Sequence, residues 1–271
     1  MKTVLGLATC FNRKEKTVNA INALTKGNPS LSFDFIIVDD GSTDGTSEVL
    51  SLFDNVTVIH GDGNLFYSGG MRKAIAAAKA VDKQYDYCLI FNDDVQFYDH
   101  CIEYLADKRD DVVWVGPTCD EKGKLVYSGI NRKSKFVPKY IHIMAETEDG
   151  VECETFNGNC VLIPWNIFME VENLPEVYRH SFGDYEYGFA ITRKGYKIMV
   201  PKQFVGVCND DTKKENSWKD TSLSIKERIK KKESIKGLPF KEYFYYLHHN
   251  FNLGTAIVYS LTPYIKIICK K

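Results

Sequence analysis

No Cys-x-x-Cys pair occurs among the eight cysteines, Cys10, Cys88, Cys101, Cys119, Cys153, Cys160, Cys208 and Cys269. No metal-ligand spacing relates them either, which excludes a zinc cage and a redox dithiol; they are expected as reduced thiols in a cytosolic protein. Several lie in apolar runs, where Cys behaves as a small hydrophobe. No uninterrupted apolar stretch reaches the length that spans a bilayer. Met1-Lys2-Thr3 leads directly into a strand pattern and shows no signal-peptide profile. Internal repeats and low-complexity tracts are missing. So is strong net charge: 35 Lys and Arg against 36 Asp and Glu leave −1, which argues against a nucleic-acid binder.

The charge that is present is uneven. From Thr221 to Lys271 there are ten Lys or Arg and three Glu, a net of +7, so residues 1–220 carry −8. A basic segment of this kind either faces an anionic partner such as a membrane surface or is a solvated helix face. With 271 residues, 44% of them apolar, the chain can bury a sizeable core. The expected organisation is one domain over 1–220 with a helical extension over 221–271. Within the domain, a first half ends near 116 and a second covers about 117–220.

The first half alternates short apolar runs with helical patterns. Strands are expected at Val4–Thr9, Phe35–Val38, Val56–His60, Tyr87–Phe91 and Val112–Val115. Helices are expected at Lys16–Leu24, up to Leu52 from a cap at Asp44 or Thr46, and at Met71–Ala80. This alternation predicts an α/β fold with a mostly parallel, Rossmann-type sheet flanked by helices. The pattern weakens after Gly129 and resumes as a strand over Phe156–Ile163. Asp184 and Glu186 precede a further helix. Lys226–Lys236 reads as a basic helix and Phe240–Phe251 as an aromatic one.

In open α/β sheets, ligands bind beyond the carboxyl ends of the strands. Asn12, Asp40, Asn64 and Asp94 all follow strand-like runs and are expected to share one crevice. Adjacent carboxylates in Asn92-Asp93-Asp94 repel unless something positive lies between them. Hard oxygen ligands suit Mg²⁺ or Mn²⁺, with a diphosphate completing the shell. In Val38-Asp39-Asp40-Gly41-Ser42, Asp40, and less directly Asp39, offers an acceptor for the imide N–H of uracil or thymine, whereas Gly41–Thr46 reads as turn and capping chemistry.

The chain resembles the family 2 glycosyltransferases, which have the GT-A fold. The resemblance rests on Ala8-Thr9-Cys10-Phe11-Asn12-Arg13, Val38-Asp39-Asp40-Gly41-Ser42, Gly63-Asn64-Leu65-Phe66 with Gly69-Gly70-Met71-Arg72, Asn92-Asp93-Asp94, and Phe182-Gly183-Asp184-Tyr185-Glu186-Tyr187-Gly188. It covers about residues 3–205 and implies roles residue by residue. Thr9 and Phe11 would line the base, which Asp40 would bind. Asp94 would touch the metal, with Asn92 in the place of the motif's first Asp and Asp93 between them. Asn64, Gly69 and Gly70 would form a loop near the nucleotide-sugar, and Arg72 would neutralise phosphate. Gly158, in Asn157-Gly158-Asn159-Cys160, would lie beside the donor sugar. Asp184 would be the base that deprotonates the acceptor hydroxyl, with Gly183 where relatives carry Glu, and Glu186 is the alternative base. One such base, with metal holding the departing diphosphate, implies inversion.

His180 and Trp218 are candidates for the acceptor side; of the three tryptophans, Trp114 and Trp165 read as core. Relatives often carry a late His ligand to the metal. The nearest position here is Cys208, and Asp210, His248 and His249 are the alternatives. The implied activity is transfer from a UDP- or dTDP-sugar to a glycan or lipid-linked glycan. Within the family the likeness is closer to bacterial cell-surface polysaccharide enzymes, such as rhamnosyltransferases, than to processive synthases. The transmembrane helices and Gln-x-x-Arg-Trp motif of processive synthases are lacking. The departures at Asn92, Gly183 and Cys208 keep an inactive nucleotide-sugar or glycan-binding module open. Nucleotidyl transfer is disfavoured, because no Gly-rich, Lys/Arg-bearing loop follows the first strand. The tail from Gly254 contains Pro263 and Lys266, which argue against a span. Interfacial contact with the inner face of a membrane and packing on the domain or a second subunit are the two expectations for it.

Overall fold

The computed structural model describes residues 1–209 and 217–269. Eight strands make the central sheet: β1 (Lys2–Cys10), β2 (Leu31–Asp39), β3 (Val56–His60), β4 (Tyr87–Phe91), β5 (Val113–Val115), β6 (Val151–Cys153), β7 (Cys160–Pro164) and β8 (Ile198–Val200). Their order is β6-β8-β5-β7-β4-β1-β2-β3. The stretch from β3 to β4 is parallel throughout, and β8 is parallel to β5. The expected fifth strand does not lie beside the fourth. β7 is inserted between them, antiparallel to both β4 and β5. This is why the strand–helix rhythm fades in the second half: residues 116–159, between β5 and β7, form short strands and turns without a crossover helix, and β7 joins the sheet antiparallel.

Side chains alternate across the sheet as the two-residue period requires. Phe33, Phe35 and Ile37 of β2 join one core with Ala20, Ile21 and Leu24 of α1 (Lys14–Gly27) and with Leu50 of α2 (Thr46–Leu50). Ile36 and Val38 face the other core, with Met71, Ala74 and Ile75 of α3 (Phe66–Lys79). The first core also takes Ile102 and Leu105 of α4 (Cys101–Ala106). The second takes Phe168 of α5 (Trp165–Glu170) and Tyr187 and Ile191 of α6 (Gly183–Arg193). Trp114 and Trp165 are both buried, as read from sequence.

Two element boundaries differ from expectation in ways that matter for the site. α3 starts at Phe66, more than a turn before Met71, and takes Gly69 and Gly70 into its first turns. Glycine is a poor helix former, so propensity alone delays the start. Here packing overrides it, because a Cβ on Gly70 would sit 2.2 Å from Thr9 Oγ1 and only glycine lets α3 seat on β1. Asp184 and Glu186 lie inside the first turn of α6, not before the helix.

Residues 221–269 form α7 (Ile225–Glu233), α8 (Phe240–Asn250) and α9 (Leu253–Ile268). α7 opens with a capping box between Ser224 and Glu227. α8 packs onto α6 through a third core of Tyr178, Phe189, Tyr246, Leu247 and Ala256. Phe182 stacks on Tyr246 with ring centres 4.5 Å apart. Among the described residues, no helix is long and apolar enough to cross a membrane.

Candidate functional site

The parallel register brings the ends of β1, β2 and β4 to one edge of the sheet. Cys10 pairs with Asp39, and Asp40 N–H donates to Cys10 O at 3.0 Å. Beyond β1, Asn12 adopts φ +51°, and its side-chain oxygen accepts from Thr43 N–H at 2.8 Å, tying the loop after β1 to the loop after β2. Phe11 is left as an exposed ring at this edge. Thr9 is half-buried and its hydroxyl donates to Val38 O. Among the described residues, positive φ outside glycine occurs at Asn12, Phe66, His100 and Phe182; Asn12 lies in the loop after β1, Phe66 opens α3 and Phe182 caps α6.

Asp40 is buried and builds a loop. Its carboxylate accepts backbone N–H groups from Gly63 at 3.0 Å, Leu65 at 3.2 Å and Phe66 at 2.9 Å. A carboxylate has about four acceptor positions, so one remains for a ligand. Asp39 is spent on Ser42 N–H and the Ser47 hydroxyl, which makes it a turn organiser instead of a base contact. Asn64 is an exposed turn residue bonded to Asp62. Gly70 contacts Thr9, not an open crevice. Arg72 is half-buried, and its Nη1 donates to Pro175 O at 3.1 Å and Tyr178 O at 3.0 Å, pinning the segment that leads to α6.

After β4, the three motif residues diverge. Asn92 Nδ2 donates to Asn159 Oδ1 at 2.9 Å, so this departure from Asp supplies the amide donor that joins β4 to β7. Asp93 is buried; Arg13 and the Thr17 hydroxyl donate to it at 2.7 and 2.8 Å. Burial raises its pKa and the Arg13 charge opposes that rise. Asp94 alone keeps a carboxylate that reaches solvent, with 24% of its side chain exposed. Its Oδ2 lies 3.0 Å from Arg13, and its Oδ1 lies 3.9 Å from the thiol of Cys208. Cys208 is thus the late residue that lies beside Asp94. His249 instead pairs with Glu186 and His248 stacks on Phe244, both on α8, while Asp210 falls outside the described residues.

A cleft of about 400 Å³ opens beside this cluster, lined in part by Lys16, Asn19, Asp94, Gln96 and Cys208. Among the described residues, no three His, Cys, Asp or Glu side chains form a preformed metal cage. A single open carboxylate fits a hard divalent ion that takes most of its ligands from phosphate and water. It does not fit zinc, which wants a closed set of N and S donors.

The second acid lies across the turn before β7. Asp184 accepts Gly158 N–H at 3.2 Å and its neighbour Tyr185 N–H at 2.9 Å. Burial pushes its pKa up to about 6, against the opposing pull of these N–H donors. The next residue, Asn159, bonds both Asn92 and the Cys208 sulfur. Two consecutive residues therefore join the Asp184 carboxylate to the Asp94 cluster. A Cβ on Gly158 would meet the Tyr67 hydroxyl at 2.2 Å. Burial, with the charges of Asp184 and Asp94, holds the Tyr67 phenol well above its usual range, so it remains a donor. A side chain at Gly183 would meet Ser68 Oγ at 2.5 Å, which accounts for the missing Glu.

Glu186 does not share this crevice chemistry. It is 2% exposed, and Tyr178 OH, Asn250 Nδ2, Arg193 and His249 all surround its carboxylate. It is the post on which α8 docks. His180 packs edge-on against Phe66, with Nδ1 buried and without a partner, and burial lowers its pKa. Trp218 sits in a turn ahead of α7, where its carbonyl accepts from Arg228, which also reaches Ile267 O. Arg13 and Tyr67 carried no role in the sequence reading. Arg13 stood inside a quoted motif, so its position was visible. Tyr67 has only its place between Phe66 and Gly69 to recommend it.

The family model "Glycosyl transferase family 2" matches residues 7–161. Among solved structures, the mannosyltransferase PcManGT from Pyrobaculum calidifontis, in complex with GDP-Man and Mn²⁺, aligns with a TM-score of 0.54 at 15% identity, covering 96% of this chain and 74% of that one. TarS 1-349 from S. aureus aligns with a TM-score of 0.57 at 14% identity, covering 98% of this chain and 90% of that one. The same protein in complex with UDP-GlcNAc gives 0.57 at 14%, covering 97% and 74%. Identities this low speak for a shared fold. No curated protein matches the chain.

Proposed function

The chain belongs to glycosyl transferase family 2, and from that premise we propose that it moves a sugar from a UDP- or dTDP-sugar to a glycan or lipid-linked glycan acceptor, with inversion and with the help of Mg²⁺ or Mn²⁺. The observation that carries this reading is the Gly158-Asn159 turn, which ties a carboxylate of raised pKa to the open carboxylate of Asp94. The nucleotide-binding half lies within about 1–116 and the acceptor half within about 117–220, with 221–271 as the extension.

In this reading Phe11 and Thr9 flank the base, and the remaining acceptor position of Asp40 takes its imide N–H. Asp94, beside Cys208, holds the metal, which supplies positive charge to the departing diphosphate. Asp184 accepts the proton of the acceptor hydroxyl as that oxygen attacks the anomeric carbon from the face opposite the diphosphate. One displacement then inverts the centre. Gly158 leaves room for the Tyr67 hydroxyl, which offers the sugar a hydrogen-bond donor.

The test is a thermal-shift screen of UDP-, dTDP- and GDP-sugars with Mn²⁺, Mg²⁺ or chelator, followed by turnover with each donor that binds. A ligand that binds only the folded state raises its melting temperature. Stabilisation by a uridine or thymidine diphosphate sugar, lost on chelation, is the expected result. Metal-independent stabilisation would remove the role of Asp94. Binding without transfer or hydrolysis under every donor would favour a binding module.

A further inference from the structure

The last helix is built inside out. At about 100° per residue, Leu253, Ile257, Val258, Leu261, Ile265 and Ile268 of α9 fall within one arc, and each is 47–61% exposed. The side that packs on the protein carries Thr255, Ala256, Ser260, Pro263 and Ile267. An ordinary surface helix buries its large apolar side chains and exposes its small and polar ones. The stripe presents on the order of 600 Å² of apolar surface, at the upper end of what a monomer leaves to water.

Charge decides what covers it. Exposed lysines Lys226, Lys230, Lys236, Lys241 and Lys266 stand on the same helical unit, in a segment whose net charge is +7. A second copy would bring together two segments of net charge +7, and the stripe falls short of the roughly 800 Å² per partner of a standard interface. An anionic lipid surface satisfies both features, since apolar insertion and lysine–headgroup attraction act together. α9 has 16 residues, about 24 Å of helix, shorter than the roughly 30 Å hydrocarbon core. It therefore lies in the interface plane instead of crossing it.

We propose that α9 seats this protein on an anionic membrane surface, with its apolar stripe in the acyl boundary and the lysines of the C-terminal helices against the phosphate headgroups. This goes beyond the sugar-transfer reading and does not depend on it. Because α9 packs on α8, and α8 on the helix that carries Asp184, seating α9 also fixes how the acceptor side faces the bilayer.

The experiment is co-sedimentation of the full chain with vesicles of phosphatidylglycerol and phosphatidylcholine, or of phosphatidylcholine alone, at low and high salt. Alongside it run Leu261→Glu with Ile265→Glu, and Lys226→Glu with Lys230→Glu. All four positions are exposed or at the rim, so both variants should keep the wild-type melting temperature. The expected result is binding to the anionic vesicles that weakens with salt. The first variant should reduce it about tenfold or more, and the second severalfold. Failure of the wild-type chain to sediment, or equal sedimentation of the Leu261/Ile265 variant, would overturn the proposal. So would a wild-type dimer in light scattering that this variant dissolves, because the stripe would then belong to a second copy. Nucleotide-sugar binding measured on the same samples separates this failure from failure of the sugar-transfer reading.

Discussion

Arg13 reaches over to Asp93 and donates to it at 2.7 Å, and this pairing turns one of two adjacent acids inward and leaves the other open to solvent. Asp93 is committed inward, to Arg13 and Thr17, while Asp94 shares the same guanidinium only at its outer oxygen. The two acids should respond differently to removal. Asp94→Ala is expected to abolish metal-dependent binding of UDP or dTDP with little change in stability. Asp93→Ala removes the buried acceptor from Arg13, which keeps Asp94, and from the Thr17 hydroxyl, which keeps Arg13 O, and is expected to cost about 1–3 kcal/mol. Chemical denaturation and calorimetric titration of nucleotide with Mn²⁺ distinguish them, and equal effects in both assays would refute the division of labour.

Asp184 is expected to set the acid side of the pH–rate profile. Its pKa stands at about 6, so activity should rise as pH passes upward through that value, because only the ionised carboxylate accepts a proton. Asp184→Asn should leave donor binding intact and cut transfer by orders of magnitude. The same shift has a stability side. A pKa raised on folding means that the folded state holds the proton more tightly than the unfolded state. The resulting stabilisation is full below the unfolded value near 4 and is lost as pH rises through about 6. Asp184→Asn should therefore be more stable than wild type at pH 7.5, by on the order of 1 kcal/mol, and lose that advantage at pH 4. A pH–activity curve without an acid limb near 6 would move the base elsewhere.

Glu186→Ala should be a stability mutation. Removing the acceptor from Tyr178, Asn250, Arg193 and His249 is expected to cost about 3 kcal/mol, since a buried polar cluster is left unpaired. Transfer per folded molecule should change far less than in Asp184→Asn. A stable Glu186→Ala protein with no turnover would restore Glu186 as the base.

Gly158→Ala should depress activity by pushing a methyl group against the Tyr67 hydroxyl. The next Tyr67 atom lies at 3.5 Å, ordinary contact distance, so Tyr67→Phe should relieve the clash. The double variant is expected to recover activity up to that of Tyr67→Phe alone. Additive losses across this cycle would show that the two residues do not touch in the working enzyme.

The parallel half of the sheet was legible because each strand there is a continuous apolar run closed by a polar turn. Tyr87–Phe91 and Val56–His60 coincide with the expected spans, and the acids that follow them fall at one edge. The position of β7 was not legible, since a buried strand looks the same whichever neighbour it pairs with. Nor could spacing separate Asp184 from Glu186, two residues apart in one helical turn. Their roles are divided by Asn250 and His249, more than sixty residues later, and by a backbone N–H at Gly158. Gly70 and Arg72 were read toward a ligand because they stand in a family motif. The nearest partners of both are instead protein atoms, Thr9 for the first and the 175–178 carbonyls for the second.

The docking of α8 on Glu186 has a consequence for the order in which the molecule comes into being. A chain leaves the ribosome from its N-terminus, so α6 emerges well before Asn250 and His249 exist to meet its buried acid. Until they do, the helix bearing Asp184 carries an acid lacking two of its four partners. The stability of that helix is thus expected to arrive only once α8 has been made, so a nascent fragment ending before His249 should unfold more easily although it already holds every family motif.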